Sequence, residues 1–335
     1  MERQLEQVLR SYPLGTLNGA RQLERGFVNE NWVVTTTRGR FFVKRRHPSY
    51  HHKSLIHAQH ALIEHLRRHR FPAPRLVKTL ADETILILES QWYEIQEFID
   101  GEPYDHNRPA HLEQAAITLG MYHRCVQTFG DSLFRSLRDL YAPGTVQEIL
   151  RRLVSARKLH RDPSLSDLIR RLEAEVSALA AHFARHLTPR PLVIHGDYYA
   201  DNLIFDGDRI VGVVDYDRAR SEPRVTELAE ALIYFASPQT GHMRHIVYPG
   251  FLDWEPFYRF LQSYGEAISL QDGEAQALPD YVSAIWLSWS LRRLWEGGLR
   301  PGCAAEALQE VCSLADWAQA NADQMVEAAC SAMGS

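Results

Sequence analysis

Cysteine is scarce in this sequence, with four residues among 335, and no two of them form a Cys-x-x-Cys pair. Their spacing matches no zinc site. The opening segment, MERQLEQVLRSY, has no signal-peptide pattern. The sequence also contains no apolar run that is long enough to span a bilayer. These absences argue against a secreted, disulfide-bonded domain and predict a protein of the reducing cytoplasm.

An excess of positive charge is lacking as well, since the formal net charge is −5. This excludes an overall basic protein that coats nucleic acid. Residues 1–95 nevertheless carry fifteen Lys and Arg against nine Asp and Glu, whereas the remainder is acidic. A basic part suits phosphate groups and an acidic part suits a cationic acceptor, although both are also typical of solvated surfaces. With 45% hydrophobic residues and no internal repeat, the chain is long enough for two packed lobes.

The most informative stretch of the chain runs from residue 191 to residue 219. A short apolar segment leads into a loop with the sequence HGDYYADN, which carries Asp197 and Asn202. Two strand-like segments follow, joined by an Asp-Gly-Asp turn, and the second of them ends at Asp215. The sequence therefore predicts two carboxylates and one amide close together at strand ends, where rigid scaffolds usually place chemistry.

This set of side chains suits metal-dependent phosphoryl transfer. One carboxylate holds the attacking hydroxyl, while the amide and the other carboxylate hold Mg²⁺. A His-x-Asp triplet alone fits a metal-dependent hydrolase or a buried structural His–Asp pair equally well. The combined pattern, His-Gly-Asp-x4-Asn followed by an apolar strand that ends in Asp, is more specific and matches the catalytic loop and following strand of protein kinases.

The first hundred residues predict a small sheet with one main helix. The predicted strands are Arg21–Arg25, Asn31–Thr37, Phe41–Arg45, Thr84–Leu88 and Trp92–Ile99. A short amphipathic helix is predicted over 2–11 and the main helix over Lys53–Arg70. The turn from Gly26 to Asn31 offers backbone N–H groups to phosphates, although a plain hairpin explains it equally well. Lys44 ends a strand next to this turn, where it is placed to pair with phosphates.

From residue 111 onward the pattern is almost entirely helical outside the stretch around Asp197. The predicted helices are His111–Phe129, Val146–His160, Ser166–His186, Arg224–Ala236, Glu255–Ser269, Ala275–Glu296 and Ala304–Ala332. His123 is interpreted as a buried core residue. Seven histidines fall between residues 47 and 69, but no cysteine or HExxH motif accompanies them, so we do not predict a metal site there.

These segments resemble the aminoglycoside/choline kinase-like phosphotransferase family and are similar to its homoserine-kinase-type branch. The resemblance covers most of the chain, and its most specific part is 195–217. It is carried by the Gly26–Asn31 loop, Lys44, FPAP at 71–74, Glu97–Gly101, GMYH at 120–123, HGDYYADN at 195–202 and VVDYDRA at 213–219. The resemblance implies an α+β, two-lobed protein-kinase-like fold, with an antiparallel-sheet lobe over 1–99 and a larger, mostly helical lobe over 100–335.

The resemblance also implies an activity and the residues that perform it. The activity is ATP-dependent transfer of the γ-phosphate to a hydroxyl of a small metabolite. Asp197 is expected to be the catalytic base, Asn202 and Asp215 the Mg²⁺ ligands, and His195 a residue that shapes the loop. The residues expected to bind ATP are Gly26, Asn29, Asn31, Lys44, Glu97 and Ile99, the last two through backbone groups at the adenine. A monomer or homodimer without a nucleic-acid or membrane partner is expected.

Three features depart from the protein-kinase pattern. A helix is predicted almost directly after Asp215, with no activation segment or Ala-Pro-Glu motif, which argues against a protein substrate. Gln59 stands where the helical glutamate that pairs with Lys44 is expected, so either Glu64 replaces it or Lys44 is oriented otherwise. This keeps an ATP-binding pseudokinase open as an alternative. Asp217, at a position where protein kinases have glycine, is predicted to lie near a second metal or to cap the loop.

The phosphate acceptor is less defined by the sequence. The helical lobe is expected to line its pocket, especially 222–234 and 285–295. If Arg292 or Arg293 faces this pocket, an acceptor with a carboxylate, such as an amino acid alcohol, is favoured. If Glu227 or Glu230 dominates, an amino sugar or choline fits better. A stripe of Trp residues in 285–295 is more typical of a core than of a binding site.

Overall fold

An antiparallel sheet forms the first part of the chain. The computed structural model describes residues 2–23, 29–130, 133–134, 140–157, 159–185, 190–237, 252–271, 273–297 and 302–332. The strands of the sheet are β1 (Leu17–Leu23), β2 (Glu30–Thr36), β3 (Gly39–Arg46), β4 (Leu76–Val77), β5 (Leu86–Leu88) and β6 (Gln91–Glu97). Their order is β1-β2-β3-β6-β4, and β5 also pairs with β6. The sequence predicts five of these strands, because the two residues of β4 are too few to show an alternating pattern.

The sheet has one apolar and one polar face, because side chains alternate along each strand. On the apolar face, side chains of β2, β3 and β6 pack against helix α1 (Glu2–Leu9), and they include Trp32, Val34, Val43 and Ile95. β-Branched and aromatic residues such as these favour strands. The neighbouring positions of β3 and β6 place buried charged residues on the opposite face, namely Lys44, Arg46 and Glu94.

Helix α2 (Lys53–Arg68) covers the polar face of the sheet and joins it to the rest of the molecule. Its apolar stripe, with Leu62, Ile63 and Leu66, belongs to the core of the helical part. Two polar residues of the same helix are also buried: His60 contacts Glu94 of the sheet, and Gln59 contacts the backbone of Asp217. The helix therefore contacts both parts of the chain.

Helices dominate the second part of the chain. They are α3 (Pro109–Val126), α4 (Pro143–Ala156), α5 (Ser166–Arg185), α6 (Arg224–Ala236), α7 (Trp254–Ala267), α8 (Glu274–Glu296), α9 (Ala304–Ala320) and α10 (Ala322–Ser331). The core lies around α6 and α8, whose buried side chains include Leu228, Leu232 and Trp286. Among the described residues, no helix combines the length and the apolar character that crossing a membrane requires.

The last predicted helix, Ala304–Ala332, is in fact two helices that meet at Asn321. The backbone of this residue leaves the helical region, at φ −111° and ψ 10°. The carbonyl of Trp317 accepts a 2.7 Å hydrogen bond from the side-chain amide of Asn321 in addition to a 3.1 Å hydrogen bond from the backbone amide of the same residue. Asparagine competes with the helical backbone in this way, and the regular apolar pattern hides the break.

A small three-stranded sheet and a strand pair hold the loops around Asp197 and Asp215 together. β7 (Glu102–Pro103) and β10 (Arg209–Val213) both pair with β9 (Leu203–Asp206), while β8 (Pro191–Ile194) pairs with β11 (Arg220–Pro223). The sequence predicts a helix almost directly after Asp215, whereas a short 3-10 turn and β11 come first. Since β11 lies beside β8, the chain that follows Asp215 returns to the start of the Asp197 loop.

Candidate active site

A cavity of about 500 Å³ lies between the sheet and the helical part. This volume is within the range of small-molecule sites. Its lining includes the predicted site residues Asn29, Asn31, Lys44, Glu97, Ile99, Asp197, Asn202 and Asp215. The structure therefore brings together every predicted site residue that it describes. Gly26 lies outside the described residues.

Asp197 follows β8 at the floor of this cavity. Its carboxylate lies 3.4 Å from Nη1 of Arg218 and accepts a 3.3 Å hydrogen bond from Nδ2 of Asn202. Burial raises the pKa of Asp197 to about 6, because the charged form loses water. Gly196, with φ +76°, is required before it, since a Cβ there would lie 2.3 Å from the carbonyl oxygen of Arg218.

A buried carboxylate on α6 fixes the start of this loop. Glu227 accepts hydrogen bonds from the backbone amides of His195, at 3.2 Å, and Gly196, at 2.6 Å. His123 donates to the same carboxylate from Nε2, at 2.9 Å, so it is a core residue as predicted. Burial works against the charge of Glu227, yet these donors hold its pKa below the ordinary value. His195 is buried and its Nε2 lies 3.1 Å from the carbonyl oxygen of Val214, which gives it the predicted loop-shaping position.

Asn202 and Asp215 face each other across the same cavity. Nδ2 of Asn202 donates to the carbonyl of Asp197 at 2.8 Å, which leaves its Oδ1 as the oxygen that it can offer to a cation. Asp215 adopts a left-handed backbone at φ 68°, and its side chain is 43% exposed. Although burial disfavours its charge, the ion pair and hydrogen bond with Lys44 lower the pKa of Asp215. One amide oxygen and one ionised carboxylate are ligand types that Mg²⁺ prefers.

Lys44 is buried on β3 and surrounded by carboxylates. Its Nζ lies 3.1 Å from Asp215, 3.1 Å from Asp217 and 3.9 Å from Glu94. Burial works to lower the pKa of Lys44, but these three carboxylates outweigh it and raise the pKa. Gln59 makes no ion pair, and Glu64 on the same helix does not reach Lys44. Of the two sequence-based alternatives, the structure therefore favours a differently oriented Lys44.

Asp217 joins the elements that surround the cavity. Its carboxylate contacts Lys44 at 3.1 Å, Arg46 at 3.2 Å and Nδ2 of Asn29 at 2.6 Å. Its backbone carbonyl accepts a 3.0 Å hydrogen bond from Nε2 of Gln59. Asp217 therefore ties the turn before β2, the sheet and α2 to the loop after β10.

The segment after β6 forms one wall of the cavity. Within it, the backbone amide of Glu97 donates to the carbonyl of Arg75 at 2.8 Å, and that of Phe98 donates to Arg40 at 3.2 Å. Ile99 lines the cavity, as does Gly101, where a Cβ would lie 2.4 Å from the carbonyl oxygen of Phe205. The end of the sheet is thus held firmly against the cavity by backbone contacts.

The arginines and glutamates that are candidates in the sequence to contact the phosphate acceptor do not line the cavity. Arg292 and Arg293 do not line the cavity, and Arg293 lies 3.7 Å from Glu310 on α9. Both candidate glutamates are buried and paired: Glu227 as described above, and Glu230 with Arg220 and Tyr141. Arg218 lines the cavity instead, next to Tyr199, Asp201 and Tyr234. The expectation for 285–295 is wrong because α8 is buried on most of its surface, including Trp286.

The histidine-rich segment is structural where its contacts are seen. The rings of His65 and His69 are in tilted contact, with centroids 4.3 Å apart, and Nε2 of His65 lies 2.9 Å from the carbonyl oxygen of Cys125. His60 bridges Thr84 and Glu94, and His51 stacks on Trp92. Within the described ranges, no group of three or more His, Cys, Asp or Glu side chains is placed to hold a metal ion. A Mg²⁺ site that also uses phosphate and water needs fewer protein ligands than that.

The sequence analysis does not single out Glu94, Arg46 or Arg218 as site residues. Glu94 is found only through the register of β3 and β6, and Arg218 only through the fold. Glu227 is an acceptor candidate in the sequence, but its contacts with the Asp197 loop are visible only in the structure. Alternation along β3 predicts that Arg46 shares a face with Lys44, so the basic run Lys44–Arg46 contains the signal for one of the three.

A strand-rich part, a helical part and a cavity with paired acidic loops between them define a phosphotransferase with the fold of small-molecule kinases. The chain belongs to the phosphotransferase enzyme family, whose model matches residues 19–264. This confirms the predicted family, the α+β kinase-like fold and the enzyme class.

Individual relatives agree with this membership. The chain is 23% identical to a homoserine kinase of Parvibaculum lavamentivorans over 314 residues, which is 88% of this chain and 86% of that protein. Among solved structures it is similar to an aminoglycoside phosphotransferase from Alicyclobacillus acidocaldarius, with a TM-score of 0.65, 19% identity and 95% of each chain covered. An amicoumacin kinase in complex with AMP-PNP and Ca²⁺ gives a TM-score of 0.68 at 13% identity, covering 96% of this chain and 93% of that one.

Proposed function

We propose that this chain is an ATP-dependent kinase that transfers the γ-phosphoryl group to the hydroxyl of a small amino acid alcohol. The observation that carries the proposal is the placement of Asp197, Asn202, Asp215 and Lys44 around one cavity. Phosphoryl transfer passes through a loose transition state, so positioning and charge neutralisation supply most of the rate. The four side chains offer both.

The residues divide the reaction between them. Asp197 orients the acceptor hydroxyl and accepts its proton, for which a pKa of about 6 is well matched near neutral pH. Lys44 neutralises charge on the α- and β-phosphates. Asn202 and Asp215 would hold Mg²⁺, which neutralises charge on the β- and γ-phosphates when bound.

The nucleotide is assigned to the sheet side of the cavity. Backbone groups of Glu97 and Ile99 receive the adenine, and Gly26, Asn29 and Asn31 bind the phosphates. We accordingly assign residues 1–99 to a nucleotide-binding lobe and 100–335 to a helical lobe with the acceptor pocket. The position of Ile99 in the cavity lining supports this assignment, and the AMP-PNP complex of the structurally similar amicoumacin kinase supports a nucleotide as ligand.

Arg218 supports an acceptor that carries a carboxylate. Its side chain lines the cavity, is 63% exposed to solvent and lies 3.4 Å from the carboxylate of Asp197. A guanidinium binds a carboxylate with two parallel hydrogen bonds. An acceptor whose hydroxyl reaches Asp197 would therefore place a carboxylate on Arg218 if a short carbon chain separates the two groups. Homoserine has this form, and curated relatives at 23–27% identity are homoserine kinases.

Two other functions have less support. A pseudokinase was suggested by Gln59, but Lys44 has carboxylate partners without a helical glutamate. A metal-dependent hydrolase would use His195, which is buried against Val214 and does not line the cavity. We further propose a cytoplasmic monomer or homodimer without a nucleic-acid partner.

Substitution of Arg218 tests the acceptor class. Arg218→Gln is expected to raise KM for homoserine about tenfold, because one charge-assisted interaction in solvent contributes about 1.5 kcal/mol. KM for an amino alcohol without a carboxylate should change much less, because only the contact of Arg218 with Asp197 is common to both acceptors. Steady-state kinetics with both acceptors measure this, and Arg209→Gln, on the exposed β9–β10 hairpin, is the matched control. An equal effect on KM for the two acceptors would refute the proposal that Arg218 binds a carboxylate of the acceptor.

A further inference from the structure

A buried cluster of charges lies on the cavity face of the sheet. We call it the strand cluster, and it consists of Lys44, Arg46, Glu94 and His60. Glu94 is 2% exposed, and both oxygens of its carboxylate accept hydrogen bonds from protein donors. It accepts from Nε of Arg46 at 2.8 Å, from Nε2 of His60 at 3.0 Å and from Nε2 of Gln96 at 3.3 Å. These donors fix the orientation of the Glu94 side chain.

The strand register places Glu94 directly beside Lys44. The two residues are antiparallel partners of β3 and β6, and each has a buried apolar neighbour, Val43 and Ile95, that points to the opposite face. Cross-strand partners lie side by side on one face of a sheet. Nζ of Lys44 is 3.9 Å from Oε1 of Glu94. The register of β3 and β6 therefore determines that Glu94 lies beside Lys44.

Helix α2 supplies no carboxylate to Lys44. At the expected position, Gln59 directs its amide to the backbone carbonyl of Asp217, at 3.0 Å. Of the three carboxylates that lie within 4 Å of Lys44 in the described part of the chain, Asp215 is the assigned Mg²⁺ ligand and Asp217 is shared with Arg46 and Asn29. Both belong to the loop after β10. Glu94 alone of the three shares a sheet with Lys44, so its contact is independent of how that loop is placed.

We propose that Glu94 is the positioning residue that holds Lys44 toward the nucleotide phosphates, from the sheet rather than from the helix. The inference rests on the proposed nucleotide site. When Asp215 binds Mg²⁺, Glu94 keeps a fixed negative partner beside Lys44. Arg46 balances the buried charge of Glu94 and also contacts Asp217 at 3.2 Å, so the cluster connects the sheet to the loop.

The experiment compares Glu94→Gln with Glu64→Gln, an identical change on α2 of the same lobe. Affinity for AMP-PNP with Mg²⁺ is measured by calorimetry, and KM is measured for ATP and for the acceptor. We expect Glu94→Gln to weaken AMP-PNP binding and raise KM for ATP at least tenfold, with KM for the acceptor unchanged. Glu94→Asp, which retains the charge, should recover at least half of this loss on a logarithmic scale. Glu64→Gln should match the wild-type protein.

A purely structural role for Glu94 gives a different result. It would reduce thermal stability and the active fraction while the surviving molecules bind AMP-PNP normally, and this would overturn the proposal. If Glu94→Gln does not fold, Arg46→Met/Glu94→Gln removes one charge of each sign and is compared with Arg46→Met alone. Equal AMP-PNP affinity of these two variants would also overturn it. Failure of the wild-type protein to bind AMP-PNP would instead refute the proposed nucleotide site.

Discussion

Asp197→Asn is expected to lower kcat by about 10²–10⁴, the usual contribution of a positioned general base. Asparagine has the same shape and can keep the contact with Asn202, but it cannot accept the proton of the acceptor hydroxyl. Because we propose that the nucleotide binds on the sheet side of the cavity, its affinity should change by no more than about threefold. Steady-state kinetics together with AMP-PNP titration separate the two quantities.

The control for this substitution is Asp206→Asn, at the exposed end of β9 and outside the cavity lining. It makes the same chemical change in the same region and should leave kcat within about twofold of the wild-type value. If Asp197→Asn retained more than about a tenth of wild-type turnover, Asp197 would not be the base.

The pH dependence of kcat/KM for the acceptor is a second test of Asp197 as the base. Its pKa is raised to about 6, first by burial and then by the negative charge of Asp215, against the opposing effect of Arg218. The ionised form is the active one, so kcat/KM for the acceptor should be constant above this pH and fall as pH decreases through it. Asp197→Asn should lack this acid limb in its residual activity.

Asp215→Asn is expected to lower kcat/KM for ATP by about 10²-fold, since a bound metal contributes several kcal/mol and this substitution removes its charged ligand. The substitution also removes one of the carboxylates within 3.1 Å of Lys44. We therefore expect the Mg²⁺ concentration for half-maximal activity to rise at least tenfold. A Mg²⁺ titration at fixed ATP measures this shift.

Asp206→Asn serves as the control here as well, because it changes the net charge of the protein by the same amount. If Asp215→Asn and Asp206→Asn gave the same Mg²⁺ dependence, the role of Asp215 as metal ligand would be refuted. A fall in kcat alone, with an unchanged Mg²⁺ dependence, would place Asp215 elsewhere in the reaction.

The sequence predicts those parts of the site whose residues lie close together in the chain. Asp197, Asn202 and Asp215 belong to one loop–hairpin unit, whose turn residues and apolar segments determine their placement. Lys44 is predicted by its place at the end of an apolar strand. Each of these predictions needs only local periodicity and spacing, and all four residues line the same cavity.

The parts that the sequence does not predict depend on which elements meet. Glu94 reaches Lys44 across a pairing of strands fifty residues apart in the chain, and periodicity does not specify partners. Arg218 enters the cavity because β11 returns beside β8. The same limit explains why the expectation that 285–295 lines the acceptor pocket, with Arg292 and Arg293, is wrong. The pattern of α8 shows an apolar helix but does not show which side faces the cavity.

The most direct test of the proposed kinase is an acceptor screen with ATP and Mg²⁺, followed by ³¹P NMR. The panel contains homoserine, choline, an aminopropanol and an aminoglycoside, and Asp197→Asn provides the blank. The expected result is a new phosphomonoester signal with homoserine, formed in the same amount as ADP and absent from the blank. Release of inorganic phosphate at the same rate with and without acceptor, and no phosphomonoester from any compound, would contradict the proposal.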